Sequence, residues 1–332
     1  MRIDLLTEMY SGSRMKAMVI TGFGGTEVFA KRDVEKPTPG RNEVLVKVYA
    51  TSVNPADCGV RQGMFGRRIE LPAILGYDVS GAIEAVGEDV RDFKVGDEVY
   101  YAIGLLDGDG ANAEYHVAHE SIVAKKPANI SHQQAAAVPV AGGTAWAALI
   151  ARAKVKVGET VLIHGGAGGV GSFAIQIAKA AGAYVYTTCG AYDIEIVKVL
   201  GADRAIDYRN EDFVDIIMNG TGGAGVDVTL STVGGELLAG SLPVTKTDGR
   251  AVTVTGVRGD LNVAIAKNIT VHFVHLEHPR PLLEALKTLI ERGQIEPLVG
   301  MTLPLDRVAE AHKILEQGGE GIRGKIVLQV DN

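Results

Sequence analysis

Between Met15 and Pro127 apolar and polar positions alternate in short runs, such as Ala17 to Ile20, Glu43 to Ala50 and Val79 to Val86. Clusters of Gly, Pro and Asn separate the runs, and period-two alternation inside such punctuation predicts short strands joined by turns. After Pro127 the period changes. A helix is expected from about Ser131 to Ala151, then a strand Thr160 to His164, a helix Val170 to Ala181, a strand Tyr184 to Thr188 and a helix through Leu200. Strands Arg204 to Asp207 and Val226 to Ser231 follow. Strands that alternate with helices predict a parallel sheet covered on both faces, because each crossover lays a helix against the sheet. Beyond Pro279 helical spacing returns over Leu282 to Arg292 and Leu305 to Gln317, and a last strand, Lys325 to Val330, is expected to rejoin the first domain. At 332 residues the chain exceeds what one core usually holds, so the change of period is read as a domain boundary.

The break after the strand Thr160 to His164 reads Gly166-Ala167-Gly168-Gly169-Val170-Gly171. A bare glycine pattern of this kind occurs by chance; its place between an apolar strand and a helix gives it meaning. Val170, Ala174, Ile177, Ala178 and Ala181 recur at helical spacing, and Gly182 stands where a C-terminal cap belongs. In that setting Gly166 permits the tight turn, Gly168 lets backbone approach a pyrophosphate, and Gly171 lets helix and strand pack closely, while the helix N-terminus holds negative charge. A dinucleotide site is therefore expected. NAD-preferring versions carry an acidic residue about 20 residues further on to accept from the ribose hydroxyl. Here that place reads Thr187-Thr188-Cys189-Gly190, which favours NADP mildly, since Asp193 is close by and no Arg or Lys adjoins it in sequence.

Charge and cysteine content narrow the partners. A formal charge of -7 argues against nucleic acid, whose binding needs a basic surface. Cys58 and Cys189 stand far apart, so no disulfide framework is expected and the cytoplasm is the default compartment. Charged residues interrupt the short apolar stretch of residues 1–14, so neither a signal peptide nor a membrane span is read there. His272, His275 and His278 suggest a metal, but on a strand Thr270 to Val274 the first two point to opposite faces, and an edge or interface strand is the better reading. Asp107-Gly108-Asp109-Gly110 lacks the later ligands of a calcium loop and reads as a turn beside the cleft. Cys58, with no His or Lys adjacent in sequence, reads as a small buried residue.

Several further segments carry a family resemblance: Ser52-Val53-Asn54-Pro55-Ala56-Asp57, Leu75-Gly76-Tyr77-Asp78-Val79-Ser80-Gly81, Phe93-Lys94-Val95-Gly96-Asp97-Glu98-Val99-Tyr100 and Ala141-Gly142-Gly143-Thr144-Ala145-Trp146. Leu200-Gly201-Ala202-Asp203, Ile206-Asp207-Tyr208-Arg209 and Arg323-Gly324-Lys325-Ile326-Val327 extend it towards the C-terminus. With the glycine turn, these resemble the medium-chain dehydrogenase/reductase superfamily, and within it the zinc-independent quinone oxidoreductases of zeta-crystallin type. The resemblance implies an α/β chain: a GroES-like β-rich domain (15–137 and 277–332), a Rossmann doubly wound parallel-sheet domain (138–276), and an N-terminal extension (1–14). It places the active site between the two domains.

The resemblance puts Asn54 and Thr144 beside nicotinamide and substrate, and Tyr208 by the adenosine phosphate. Thr255, Gly256 and Arg323 would line the rest of the groove, alongside Gly166, Gly168, Gly169, Val170, Gly171 and Cys189. Zinc-dependent relatives carry a Cys near the position of Asn54, a Gly-His-Glu where Gly76-Tyr77-Asp78 stands, and a four-Cys lobe. With those donors absent, no zinc is expected. Related quinone reductases often carry tyrosines where this chain has Gly59 and Phe65, and many carry a lysine near Asp193. The implied activity is hydride transfer from NADPH, or from NADH, to a quinone or α,β-unsaturated carbonyl, without zinc, by a homodimer. Rival readings are a 2-enoyl-thioester reductase, disfavoured by Phe65, and a non-catalytic crystallin-like nucleotide-binding protein.

Overall fold

The computed structural model describes residues 13–331 apart from 65, 106, 278, 279 and 320. Phe65, His278 and nearly all of the 1–14 extension therefore lie outside the described residues. In chain order the strands are β1 (Arg14–Ile20), β2 (Phe29–Glu35), β3 (Glu43–Val53), β4 (Ala73–Ile74), β5 (Asp78–Val86), β6 (Glu98–Ala102), β7 (Tyr115–His119) and β8 (Ala124–Lys125). The second half adds β9 (Thr160–His164), β10 (Tyr184–Cys189), β11 (Arg204–Asp207), β12 (Val226–Ser231), β13 (Thr245–Thr253), β14 (Thr270–Phe273), β15 (Val299–Pro304) and β16 (Lys325–Gln329).

The central strands β9 to β14 form one parallel sheet in the order β11-β10-β9-β12-β13-β14. Chain order reverses direction between β9 and β12, which makes the carboxyl ends of those strands the place where a crevice opens. The apolar run Val161-Leu162-Ile163 and the residues Val228, Thr229 and Leu230 are fully buried, as a parallel sheet covered on both faces requires. Phe173, Ala174, Ile177 and Ala178 of the helix Gly169–Ala180 close one of those faces. Each buried Val, Ile or Leu side chain contributes about 1.5–3 kcal/mol.

The remaining strands build the β-rich part, with the orders β2-β1-β4 and β15-β16-β3-β5-β6-β8, and β7 also pairing with β3. The last strand does return there: β16 runs antiparallel to β3 with Ile326 opposite Val53 and Val327 opposite Ser52. This register carries the residue before Ile326 to the end of β3, next to Asn54.

The long helix expected over residues 131–151 is interrupted. Ser131 accepts a hydrogen bond from Gln134 N at 3.2 Å and caps a first helix, His132–Ala136. Pro139 has no N–H to continue it and instead opens a second helix, Pro139–Trp146, which widens into a π-helical turn, Ala147–Arg152. Strand β13 escaped the pattern because its first half, Thr245-Lys246-Thr247-Asp248, is polar. Among the described residues no helix is long and apolar enough to cross a membrane.

Candidate active and cofactor site

The glycine turn begins where β9 ends. Gly165 adopts φ +77°, and the N–H groups of Gly165 and Gly166 both donate to Thr188 O at 3.1 and 3.0 Å, tying the turn to β10. The glycines of the turn serve different ends. A Cβ on Gly166 would lie 2.1 Å from Thr187 Oγ1, and one on Gly171 would lie 2.1 Å from Gly165 O, so protein packing demands both. A Cβ on Gly168 would meet nothing nearer than 3.4 Å. Gly168 is exposed, in an ordinary extended conformation, and supplies no side-chain cap to the helix Gly169–Ala180. Its bareness leaves the first-turn N–H groups, with Gly169 and half-buried Val170, open to an anion. These residues fit a pyrophosphate.

Behind the turn His164 is wholly buried, its Nδ1 3.1 Å from Thr188 Oγ1 and its Nε2 2.8 Å from Ser241 Oγ. Burial pulls its pKa down to about 4, so it is a neutral buttress.

The carboxyl ends of β10, β11 and β13 gather the other expected cofactor residues. The Cys189 thiol is buried and pushed up to about 11 by desolvation, so this residue presents backbone: its carbonyl accepts from Tyr208 N at 3.2 Å. Tyr208 is exposed, with the Arg209 guanidinium 5.5 Å from its ring centroid. Thr255 and Gly256 lie exposed just past β13. Arg323 reaches from the C-terminal segment, its Nε 2.8 Å from Asp193 Oδ1 and its Nη2 donating to Tyr192 O at 2.6 Å. Sequence adjacency left Asp193 without a basic neighbour; tertiary structure supplies one from 130 residues away. The same segment is stitched to the turn by Gly324 N donating to Ala167 O at 2.8 Å.

Asn54 ends β3 and opens the helix Pro55–Arg61, its N–H donating to Asp57 Oδ2 at 2.9 Å. Its amide Nδ2 donates to Asp78 Oδ2 at 2.9 Å, and its Oδ1 accepts from Lys325 Nζ. Lys325 also donates to Val53 O at 2.9 Å and lies 3.6 Å from Asp78 Oδ2. Asp78 further accepts from Ser52 Oγ, and its Oδ1 accepts from Val140 N at 2.8 Å. The carbonyl of Val140 in turn accepts from the half-buried Thr144 hydroxyl at 2.6 Å. Asn54 and Thr144, separate in sequence, are thus joined through Asp78.

Ser52, Asn54, Asp57, Asp78 and Lys325 are all buried. Burial drives the Asp57 carboxyl up to about 7, against the opposing pull of Lys325, and burial lowers the Lys325 ammonium. Of this cluster the sequence reading singled out Asn54 alone. A lysine opening the apolar run Lys325-Ile326-Val327-Leu328 and an aspartate opening Asp78-Val79 were the signals available.

The cluster does not suit zinc. Tetrahedral Zn²⁺ takes three or four Cys, His or carboxylate donors. Around Asn54 stand an amide, a hydroxyl and two carboxylates, and the Lys325 ammonium already holds the cation's place between Asn54 and Asp78. Among the described residues no three His, Cys, Asp or Glu side chains form a metal-holding group.

Other sequence candidates fall away from the crevice. His272 sits on the edge strand β14, while His275 lies past its end. Cys58 is buried as expected, but it does have a histidine neighbour: His312 Nδ1 is 3.4 Å away, brought by the helix Val308–Glu316. Burial holds the thiol up at about 12 and the imidazole down at about 3, so both are neutral. A Cβ on Gly59 would lie 2.7 Å from the Met64 methyl, so a side chain there requires Met64 to move. The loop with Asp107 and Asp109 borders a groove lined by Met15, Val34, Pro72, Ile74 and Tyr115.

Comparison with known proteins places these features in context. A family model described as the alcohol dehydrogenase GroES-like domain matches residues 40–128, and one described as zinc-binding dehydrogenase matches residues 200–328. The quinone oxidoreductase of Homo sapiens is 36% identical over 325 residues, covering 95% of this chain and 97% of that protein. A protein of Arabidopsis thaliana named NADPH-dependent alkenal/one oxidoreductase, chloroplastic, is 35% identical over 95% of this chain and 79% of its own length. The solved quinone oxidoreductase structure from Coxiella burnetii matches with a TM-score of 0.87 and 34% identity, covering 96% of this chain and all of that one.

Proposed function

The chain belongs to the quinone oxidoreductase family of the medium-chain dehydrogenase/reductase superfamily, and from that premise we propose that it reduces quinones or α,β-unsaturated carbonyls with NADPH, taking NADH less well, without zinc. The observation that carries this reading is the juxtaposition of an open helix N-terminus at Gly168 with the buried Asn54–Asp78–Lys325 cluster. When bound, the nicotinamide supplies a hydride; the protein's part is to orient the reactants and exclude water.

Gly166, Gly168, Gly169, Val170 and Gly171 hold the pyrophosphate, Gly166 and Gly171 by shaping the turn, Gly168 by letting bare backbone come close while its own N–H donates to Gly165 O at 3.1 Å, and Gly169 and Val170 by turning first-turn N–H groups towards the anion. Cys189, Tyr208, Thr255 and Gly256 border the adenosine side and the rest of the groove. Arg323 balances the Asp193 carboxylate there, which removes the repulsion a 2′-phosphate would otherwise meet. Asn54 borders the carbonyl with its remaining amide N–H, Thr144 shapes the opposite wall, and protonation of the reduced acceptor is left to water. The division into 15–137 with 277–332 and 138–276, residence in the cytoplasm, assembly as a homodimer and the absence of a nucleic-acid partner belong to the same reading.

The test is direct. Purified protein is mixed with NADPH or NADH and, separately, 1,4-benzoquinone, an alkenal, a crotonyl-thioester and a simple alcohol, with and without chelator, and cofactor absorbance is followed. Turnover of quinone or alkenal that survives chelation is expected. Cofactor binding with no turnover of any acceptor would sink it.

A further inference from the structure

We propose that Lys325 is a positioning residue of the reaction: its ammonium fixes the orientation of the Asn54 amide and couples that amide to the cofactor-holding turn. The inference rests on the reading of Asn54 as the residue that meets the substrate carbonyl.

An amide can be turned either way round, and its chemistry reverses when it turns. A lysine ammonium only donates and a carboxylate only accepts. Asn54 lies between one of each, with Oδ1 on Lys325 Nζ and Nδ2 at 2.9 Å from Asp78 Oδ2. Flipping it would set NH₂ against NH₃⁺ and oxygen against carboxylate, in a buried site where both faults are costly. Lys325 therefore dictates that the free corner of the amide is an N–H, a donor suited to a carbonyl oxygen gaining charge as hydride arrives.

The position of Lys325 has two independent determinants. Pairing of β16 with β3 sets Ile326 opposite Val53, and the ammonium is also held by Val53 O at 2.9 Å. Its stem crosses the glycine turn closely enough that a Cβ on Gly169 would lie 3.0 Å from Lys325 Cδ. Through Asp78 and Val140 N the same ammonium reaches the helix that carries Thr144. The turn, Asn54 and the Thr144 helix thus converge on one side chain that is itself 4% exposed and needs no contact with substrate.

The test uses K325M, which keeps the stem and removes the donor, with N54A, the double variant and K325R, in the whole protein. Turnover of NADPH with 1,4-benzoquinone, NADPH affinity by fluorescence titration and thermal midpoints are measured. K325M is expected to lower kcat by about tenfold or more while the NADPH Kd stays within about threefold, the signature of lost orientation. In the N54A background the same change is expected to lower kcat no further, because the two residues act as one unit, and K325R is expected to restore part of the rate. Wild-type kcat in K325M, or losses that multiply in the double variant, would overturn the inference. Wild-type kcat in N54A would instead overturn the reading of Asn54 itself. Should K325M fail to fold, K325M/D78N, which also removes the unbalanced carboxylate, is compared with D78N and read by the same criteria.

Discussion

Gly168 and Gly171 lie three positions apart in one motif, yet the structure assigns them opposite sensitivities to a single methyl group. An alanine Cβ at 171 would stand 2.1 Å from Gly165 O, 2.8 Å from Gly165 C and 2.9 Å from Gly166 Cα, all backbone. Ordinary contact begins at 3.4 Å, so the helix and the turn must part by about 1.3 Å. Overpacking of that kind costs about 1–3 kcal/mol, which lowers the thermal midpoint by roughly 3–10 °C. At 168 the nearest atom is 3.4 Å away and the backbone sits at φ -78°, ψ 176°, which alanine adopts freely. G168A should therefore fold about as stably as the parent, the gain of about 0.4–1 kcal/mol from the stiffer unfolded chain being offset by alanine's poorer fit at the helix N-cap. Its cost is expected to fall on the cofactor, because the methyl would enter the open space proposed for the pyrophosphate, and the NADPH Kd should rise about tenfold or more, equivalent to roughly 1.4 kcal/mol. Differential scanning fluorimetry and fluorescence titration on the two variants separate the effects. The reasoning is refuted if G168A binds NADPH as the parent does, or if G171A melts at the parent temperature.

Acid should destabilise the fold. His116 and His164 are buried with pKa values drawn down to about 4 and His312 to about 3, so their stabilisation is complete above the unfolded value of 6.5 and is lost as pH falls from there towards those values. By pH 5 each histidine costs about 2 kcal/mol. Asp57, raised to about 7, acts in the opposite sense: its contribution is full below 3.8 and lost as pH rises through 7. The net expectation is a urea midpoint lower at pH 5 than at pH 7 by the equivalent of about 3 kcal/mol, and an equal or higher midpoint at pH 5 contradicts it. R323A leaves Asp193 unbalanced beside the proposed adenosine site, so the KM for NADPH should rise about tenfold while that for NADH changes less; equal shifts would remove Arg323 from phosphate recognition. Phe273 is 62% exposed on the edge strand β14, and light scattering should give a dimer mass that F273D reduces to a monomer mass. A monomer mass for the parent protein removes that prediction.

Periodicity and glycine placement, which are local properties, were enough to read the Rossmann half. The strands at Thr160–His164, Arg204–Asp207 and Val226–Ser231 lie where the sequence pattern puts them, because Val161, Leu162, Ile163, Ile206, Val228 and Leu230 supply the wholly buried apolar positions that a covered sheet needs. The glycine turn was legible for the same reason, since its backbone demands leave no freedom of residue type at Gly166 and Gly171. Breaks inside elements were harder: the apolar run across Pro139 hid a helix boundary that only the missing N–H reveals. Family resemblance pointed to Asn54 and Thr144, but nothing local indicated what orients them.

That was decided by tertiary structure alone. Lys325 meets Asn54 across 271 residues because β16 pairs with β3, and Arg323 meets Asp193 across 130 residues because the C-terminal segment folds back over the glycine turn. Cys58 and His312 are brought together across 254 residues in the same way. Which charges face one another is set by strand register and domain packing, and the spacing of residues along the chain holds no record of either.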